Sequence, residues 1–185
     1  MVYQVDQHDV IVFVDLEWDR FATSNDAHGL TSLSVLGRPL WDFVGDATTC
    51  MLYRQLLQRV REGQVLRFKF RCDSPGRRRL MEMEMGPAEV GAVKFRTRTV
   101  SETERDPQAL WERRENCSEG LVVACGWCKK LQVEGVWEEI EDAVTHLRLF
   151  EHGLSPAITH GICEECRQDV LATLTVSSGI HNNSQ

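Results

Sequence analysis

Two pairs of cysteines offer the clearest chemistry in this sequence. Cys125 and Cys128 lie in ACGWCKK, and Cys163 and Cys166 lie in HGICEEC, so each pair has the spacing C-x2-C. A two-residue gap lets one turn direct both sulfurs at a single ion, and tetrahedral zinc binds four thiolates at about 2.3 Å. The sequence therefore predicts a closed four-thiolate metal site, which leaves no position for water and is structural.

Two other uses of the same cysteines stay open. Four thiolates also hold iron–sulfur clusters, which would make the chain a redox or oxygen sensor. The stretch CGWC is similar to thioredoxin-like active sites, but the residues KKLQVEGVW that follow it predict a hairpin, whereas that chemistry needs a helix. His160 precedes the second pair, and we expect it to contact a ligand sulfur or to be structural, with the cysteines as the ligands.

The cysteines are expected to be reduced thiols. Seven is an odd number, and the N-terminus lacks a basic region followed by an apolar segment, so a disulfide framework is disfavoured. No apolar run approaches the roughly 20 residues that a membrane-spanning helix needs. These features predict a cytoplasmic protein without a membrane segment.

Charge is divided unevenly along the chain, which has a net charge of −7. Residues 1–100 carry 14 Lys and Arg against 13 Asp and Glu, whereas residues 101–185 carry 7 against 15. The acidic part contains the cysteine pairs, and binding of phosphates needs clustered Lys and Arg. Nucleic acid is therefore not expected as a partner.

The first hundred residues show the patterns of a sheet with helices. They predict two strands within 8–22, a helix over 48–62, and three strands in VLRFKFRC, RLMEMEM and AVKFRTRT. In these three strands apolar and charged residues alternate, so the glutamates of the middle strand would lie between two basic rows. The expected fold class is α+β, with a five-stranded antiparallel sheet that has one face in water.

This order of elements resembles a PAS domain, a sensor fold in which helices cover one face of a five-stranded antiparallel sheet. VLGRPLWDFV is similar to a passage that follows the second strand in many PAS domains, and RCDSPGRRRLMEMEM is similar to a hairpin of a bacterial subgroup. The resemblance covers residues 5–100 and implies a sensing or interaction role. It also implies a cavity between sheet and helices for a small ligand, which the residues do not identify.

Three further segments follow the PAS-like domain. Residues 101–120 are predicted to form a helical linker, because Asp106 and Pro107 suit the start of a helix. The four-cysteine module is predicted over 121–176, and a disordered tail over 177–185.

Within the module we expect a strand, a hairpin that turns at Glu134-Gly135, a helix over 137–151 and a final helix. A segment of this size buries little apolar surface, and a metal would stabilise it. Its CxxCK and HGICxxC stretches resemble a C-terminal module of bacterial PAS-containing and response-regulator proteins. That resemblance implies a regulatory accessory module.

The combined expectation is a non-enzymatic signal-sensing or adaptor protein, in which a PAS-like domain is joined to a structural zinc module. No Ser/His/Asp set, phosphate-binding loop or carboxylate pair stands out in the sequence. Any signal would leave through a protein partner or through self-association, and the PAS resemblance implies a homodimer.

Overall fold

The computed structural model describes residues 1–25, 27–111, 117–150 and 155–176. The tail predicted over 177–185 lies outside these residues. The chain divides into two compact units: the first contains Met1–Lys69, Glu82–Arg98 and the residues from Gln168 onward, and the second contains Phe70–Met81 and Thr99–Arg167.

The N-terminal part of the chain forms five strands and three α-helices, with short 3-10 turns between them. In chain order they are β1 (Val2–Val5), β2 (Ile11–Val14), α1 (Leu16–Ser24), α2 (Ser32–Val35), α3 (Ala47–Arg61), β3 (Leu66–Arg71), β4 (Arg77–Pro87) and β5 (Val93–Glu104). The strands form one sheet in the order β2-β1-β5-β4-β3. The predicted α+β class, the five-stranded antiparallel sheet and the long helix are confirmed.

Only one face of this sheet is buried. Along β4, Met83 and Met85 are buried while Glu82 and Glu84 remain partly exposed. Tyr3 of β1 stacks on Phe95 of β5, with 4.3 Å between the ring centroids. Burial of such apolar side chains supplies the main driving force for folding. In the first unit the core includes Val5, Ile11, Val35, Leu52, Leu56, Leu57, Val60, Leu66, Phe68, Met83, Met85, Val93 and Phe95.

The solvent face carries the predicted ladder of opposite charges. Glu84 on β4 lies 2.6 Å from Arg67 on β3 and 2.9 Å from Arg96 on β5. Glu82 lies 2.6 Å from Arg98. Hydrogen bonds from Arg67 and Arg96 hold the pKa of Glu84 below its ordinary value. Cross-strand pairs of this kind fix the register of neighbouring strands.

The prediction of a second strand within residues 8–22 is wrong. After β2 the chain leaves the sheet at Asp15, whose carboxylate accepts the backbone N–H of Val2 at 2.6 Å, and α1 begins at the next residue. Glu17 and Asp19 lie in the first turn of α1, where negative charge favours a helix. The strand that pairs with β2 is β1, which precedes it in the chain.

Asp46 caps the N-terminus of α3, where its carboxylate accepts the backbone N–H of Thr49 at 2.7 Å. We expect Asp46→Ala to lower the free energy of unfolding by about 1 kcal/mol, because one N–H loses its acceptor. Chemical denaturation followed by circular dichroism measures this. As a control, Asp42→Ala removes an exposed i,i+4 pair with Arg38, and it should cost no more than about 0.5 kcal/mol.

The later part of the chain forms a second sheet and two helices. Its elements are β6 (Cys117–Cys125), β7 (Leu131–Val133), β8 (Val136–Glu138), α4 (Ile140–His146), β9 (Ser155–Gly161) and α5 (Glu164–Val176). The strand order is β8-β7-β6-β9, in which β6 and β9 are parallel and the other pairs antiparallel. Glu134 and Gly135 both have positive φ, which suits the predicted two-residue hairpin turn. The buried cluster of this unit contains Leu110, Val122, Ala124, Leu131, Val133, Ile140 and Ala143.

The helical linker predicted over 101–120 is not found in the described part of that segment. β5 continues to Glu104, a single 3-10 turn covers Ala109–Trp111, and β6 begins at Cys117. Glu102 extends the strand because its carboxylate pairs with arginines of β4. The division between the units falls within β3, β4, β5 and α5, whereas the predicted domain boundaries were at 100 and 121.

The helix predicted over 137–151 is shorter than expected. Val136–Glu138 pairs with β7 as a strand, so α4 begins only at Ile140. It ends at His146, and residues 151–154 lie outside the described part of the chain.

Candidate metal centre

The two cysteine pairs meet because β6 and β9 run in parallel. Their register places Cys125 opposite Gly161, so both strands end at the same edge of the sheet. Cys163 follows two residues after that end, and the N–H of Gly126 continues the ladder to the carbonyl of Gly161 at 2.9 Å. Each strand therefore leads directly into one C-x2-C turn.

The four sulfurs form one compact group. No separation between the Sγ atoms of Cys125, Cys128, Cys163 and Cys166 exceeds 4.8 Å. The Sγ atoms of Cys128 and Cys163, which belong to different pairs, lie 3.7 Å apart. A tetrahedral ion with metal–sulfur bonds of about 2.3 Å requires an edge of about 3.8 Å between sulfurs. The arrangement has the size of a single-ion site.

Backbone N–H groups point at the sulfurs. Cys125 Sγ accepts from the N–H of Cys128 at 3.5 Å and from the N–H of Cys163 at 3.4 Å. Cys163 Sγ accepts from the N–H of Cys166 at 3.4 Å. Cys163 immediately precedes α5, so this bond also caps the helix, whose positive end favours a thiolate. Such bonds orient metal ligands and stabilise their negative charge.

The first turn is closed by its own backbone. The N–H of Cys125 donates to the carbonyl of Lys130 at 2.8 Å, and the N–H of Lys129 donates to the carbonyl of Cys125 at 3.0 Å. Lys129 has φ 65°, a left-handed conformation that turns the chain back into β7. The turn thus leads into a strand, as the sequence predicts, and the thiol of Cys125 has no adjacent helix in its own turn.

The thiols are close enough to share protons. The thiols of Cys128 and Cys166 donate hydrogen bonds to Cys125 Sγ, and these bonds hold the pKa of Cys125 well below its ordinary value. The same bond raises the pKa of Cys128 to about 12, and the pKa of Cys166 is raised for the same reason. The arrangement stabilises the Cys125 thiolate, whereas ionisation of Cys128 and Cys166 needs a cation.

Two lysines follow the first cysteine pair, and the sequence predicts that they offset the charge of the thiolates. The ammonium of Lys129 donates to the carbonyl of Gly126 at 2.8 Å, and burial lowers the pKa of this side chain. Lys130 lies 3.6 Å from Glu165, which lies between Cys163 and Cys166 in the first turn of α5. Both lysines therefore stand beside the sulfur group.

An arginine-rich segment supports the first turn, which the sequence did not predict. The backbone N–H of Arg71 donates to the carbonyl of Trp127 at 2.7 Å, between the two cysteines of the turn. The Arg71 guanidinium pairs with Asp73 and with Glu139, the latter at 2.6 Å. Arg105 lies 3.2 Å from Asp73. The side chain of Asp73 is 1% exposed, so the centre of this network is buried, whereas Glu139 is partly exposed.

The other candidate residues do not join the sulfur group. Among the described residues, the only group suited to a metal ion is the four cysteines, without His160. His160 lies on β9 opposite Ala124 and is exposed. Cys50 and Cys72 are free and partly exposed. The structure thus brings together the four residues that the sequence singles out as metal ligands.

Comparisons with known proteins do not assign the chain to a family. No protein-family model matches the sequence. No curated protein matches it significantly. The PAS assignment therefore stays a prediction based on the sequence. None of the described helices is long and apolar enough to cross a membrane.

Proposed function

We propose that the chain is a non-enzymatic regulatory or adaptor protein whose second unit is stabilised by one zinc ion on Cys125, Cys128, Cys163 and Cys166. The observation that carries the metal is the convergence of four sulfurs within 4.8 Å of one another. All four positions of a tetrahedral ion would be filled by protein, so the ion would have no site for water or substrate. Its role would be to hold the ends of β6 and β9 together.

The spacing of the sulfurs favours one ion over an iron–sulfur cluster. In an iron–sulfur cluster at least two irons share the four cysteines, so some of the sulfurs stand farther apart than the edge of a single tetrahedron. The maximum of 4.8 Å among all four sulfurs instead agrees with ligands that share one ion. A redox or oxygen sensor with a cluster on the same cysteines is the alternative, and the N–H groups aimed at the sulfurs suit it as well.

Metal analysis separates the two proposals. We expect protein purified with and without oxygen to contain about one zinc per chain and to be colourless, because zinc is tetrahedral and redox-inactive. Elemental analysis, sulfide determination and the visible spectrum measure this. Iron together with sulfide and a brown colour would establish the cluster, whereas iron without sulfide would indicate a single iron ion. Protein without any metal would contradict both proposals.

A regulatory role fits the architecture better than catalysis does. A thiol oxidoreductase needs a reactive thiol in front of a helix, but the CGWC turn leads into β7. Cys163 does precede α5, but its sulfur belongs to the four-sulfur group. All four thiols of the two pairs are placed to hold an ion. For the first unit, the five-stranded sheet with one open face is the support for a PAS-like sensing or interaction role. In this proposal the protein acts in the cytoplasm and passes its signal to a protein partner.

A further inference from the structure

The solvent face of the five-stranded sheet is basic, although the chain is acidic. Within the first unit, the charged side chains of this face are Arg67 and Lys69 on β3, Glu82 and Glu84 on β4, and Lys94, Arg96 and Arg98 on β5. Five positive and two negative charges give this face, termed the basic sheet face below, a net charge of +3. The rest of the chain carries the balance to −7. Positive charge is therefore concentrated on this face, and the excess negative charge lies on the rest of the chain.

The positive groups of the basic sheet face are the outermost ones. The side chains of Arg67 and Arg98 are 67% and 69% exposed, whereas those of Glu84 and Glu82 are 24% and 23% exposed. The glutamates thus lie beneath the guanidinium groups. Within the described part of the chain, Lys69 and Lys94 have no ion-pair partner, so two charges remain uncompensated. A partner would meet a positive surface with ordered arginines.

An aromatic side chain lies at one side of the basic sheet face. The strand registers place Phe13 of β2 opposite Gln4 of β1, and Gln4 opposite Lys94 of β5. Phe13 is 44% exposed. Exposed aromatic residues together with arginines are the side chains most enriched in protein interfaces. The composition therefore suits a protein partner.

We infer that the basic sheet face is a docking surface for an acidic segment of another protein. A symmetric contact of two copies through this face would set one +3 surface against another, which like-charge repulsion disfavours. An acidic segment would instead meet the arginines and the two uncompensated lysines, with Phe13 at the edge. The inference does not depend on the metal centre. It rests on the proposed adaptor role only for the choice of a protein as occupant.

A charge-reversal experiment tests this docking surface. The probe is a short fluorescein-labelled peptide rich in Glu, with binding followed by fluorescence anisotropy at low and at physiological salt. We expect Lys69→Glu/Lys94→Glu to weaken binding roughly tenfold or more, because both lysines then repel the peptide. The affinity of the unaltered chain should fall as salt increases. If the double charge reversal prevents folding, Lys69→Ser/Lys94→Ser provides the same test. This variant removes both positive charges, and it should weaken peptide binding by a smaller factor.

The matched control is Arg20→Glu/Arg59→Glu, which changes net charge by the same amount on α1 and α3. These side chains are 75% and 47% exposed and belong to the same unit. The control variant should bind the peptide with the affinity of the unaltered chain. Equal weakening in both double variants would show that only net charge matters and would overturn the inference. So would tighter binding of duplex DNA than of the peptide, or self-association that the lysine reversal abolishes. All variants are tested as purified, and the metal content of each is measured, so that a failure of this inference is distinguishable from a failure of the zinc proposal.

Discussion

Replacing Asp73 with asparagine is expected to lower the free energy of unfolding of the second unit by about 3 kcal/mol. The Asp73 carboxylate is 1% exposed, pairs with Arg71, lies 3.2 Å from Arg105 and accepts the backbone N–H of Arg79 at 3.2 Å. The asparagine keeps the shape but removes the negative charge, so two guanidinium groups that are 11% and 8% exposed lose their common partner. Removing one member of a buried ion pair costs about 3–5 kcal/mol, and the low end is expected here because Arg71 keeps Glu139 and Arg105 keeps Glu141.

Denaturant unfolding of the metal-loaded protein, followed by tryptophan fluorescence, measures this loss. The control is Asp142→Asn, which removes an exposed carboxylate in the first turn of α4. It should change stability by no more than about 0.5 kcal/mol. Equal effects of the two substitutions would mean that solvent reaches Asp73 and that the network is not buried. Because Arg71 also donates to the carbonyl of Trp127, the Asp73→Asn protein should in addition bind metal more weakly than the control.

Local periodicity predicts much of the first unit. The helix over 48–62 and the three strands after it follow from regular spacing of apolar residues, and α3, β3, β4 and β5 confirm them. The alternating charges also predict which strands are neighbours, because Glu84 can pair with both basic rows only if β4 lies between β3 and β5. In this sheet the alternation of charges along the strands is therefore enough to predict which strands pair.

The boundary between β2 and α1 cannot be predicted from local spacing, and the reason is physical. Residues 8–22 contain apolar and polar residues at spacings that suit either a strand or a helix, and short segments of this kind are ambiguous. The choice is made by tertiary contacts: the carboxylate of Asp15 accepts the N–H of Val2, which ends β2 and starts α1. A contact between residues that far apart does not appear in local spacing.

For the candidate site, the sequence predicts the ligands but not the scaffold. The spacing of the cysteines identifies the four sulfurs, and the hairpin at Glu134-Gly135 follows from turn chemistry. The parallel pairing of β6 with β9 is a long-range choice that no local pattern contains. The support from Arg71 and Asp73 is also invisible, because RCDSPGRRR contains Asp73 but not Glu139, which pairs with Arg71 from a distant part of the sequence. Its arginines indicate only that acidic partners must exist if the segment is buried.

Replacing Cys125 with serine is expected to remove the metal and unfold the second unit. Cys125 is fully buried, and its sulfur accepts two backbone N–H groups as well as lying within 4.8 Å of the other three sulfurs. A serine hydroxyl is neither a soft ligand nor ionised near neutral pH, so one of four metal bonds is lost. Zinc in closed thiolate sites contributes about 10–16 kcal/mol of binding free energy, which exceeds or equals the stability of a typical domain. Loss of even part of it is therefore enough to unfold a small unit.

The measurements are the zinc content per chain, the rate at which a chelator removes zinc, and the near-ultraviolet circular dichroism of the tryptophans. In Cys125→Ser we expect zinc to fall from about one per chain to below roughly one tenth, together with loss of the near-ultraviolet signal contributed by buried Trp127. Cys72→Ser is the matched control, since Cys72 belongs to the same unit but lies outside the sulfur group. It should keep its zinc and its spectrum. A Cys125→Ser protein that retains zinc as firmly as the control would show that the four sulfurs do not share an ion, and the second unit would then have to be stable through its apolar core and its buried ion pairs alone.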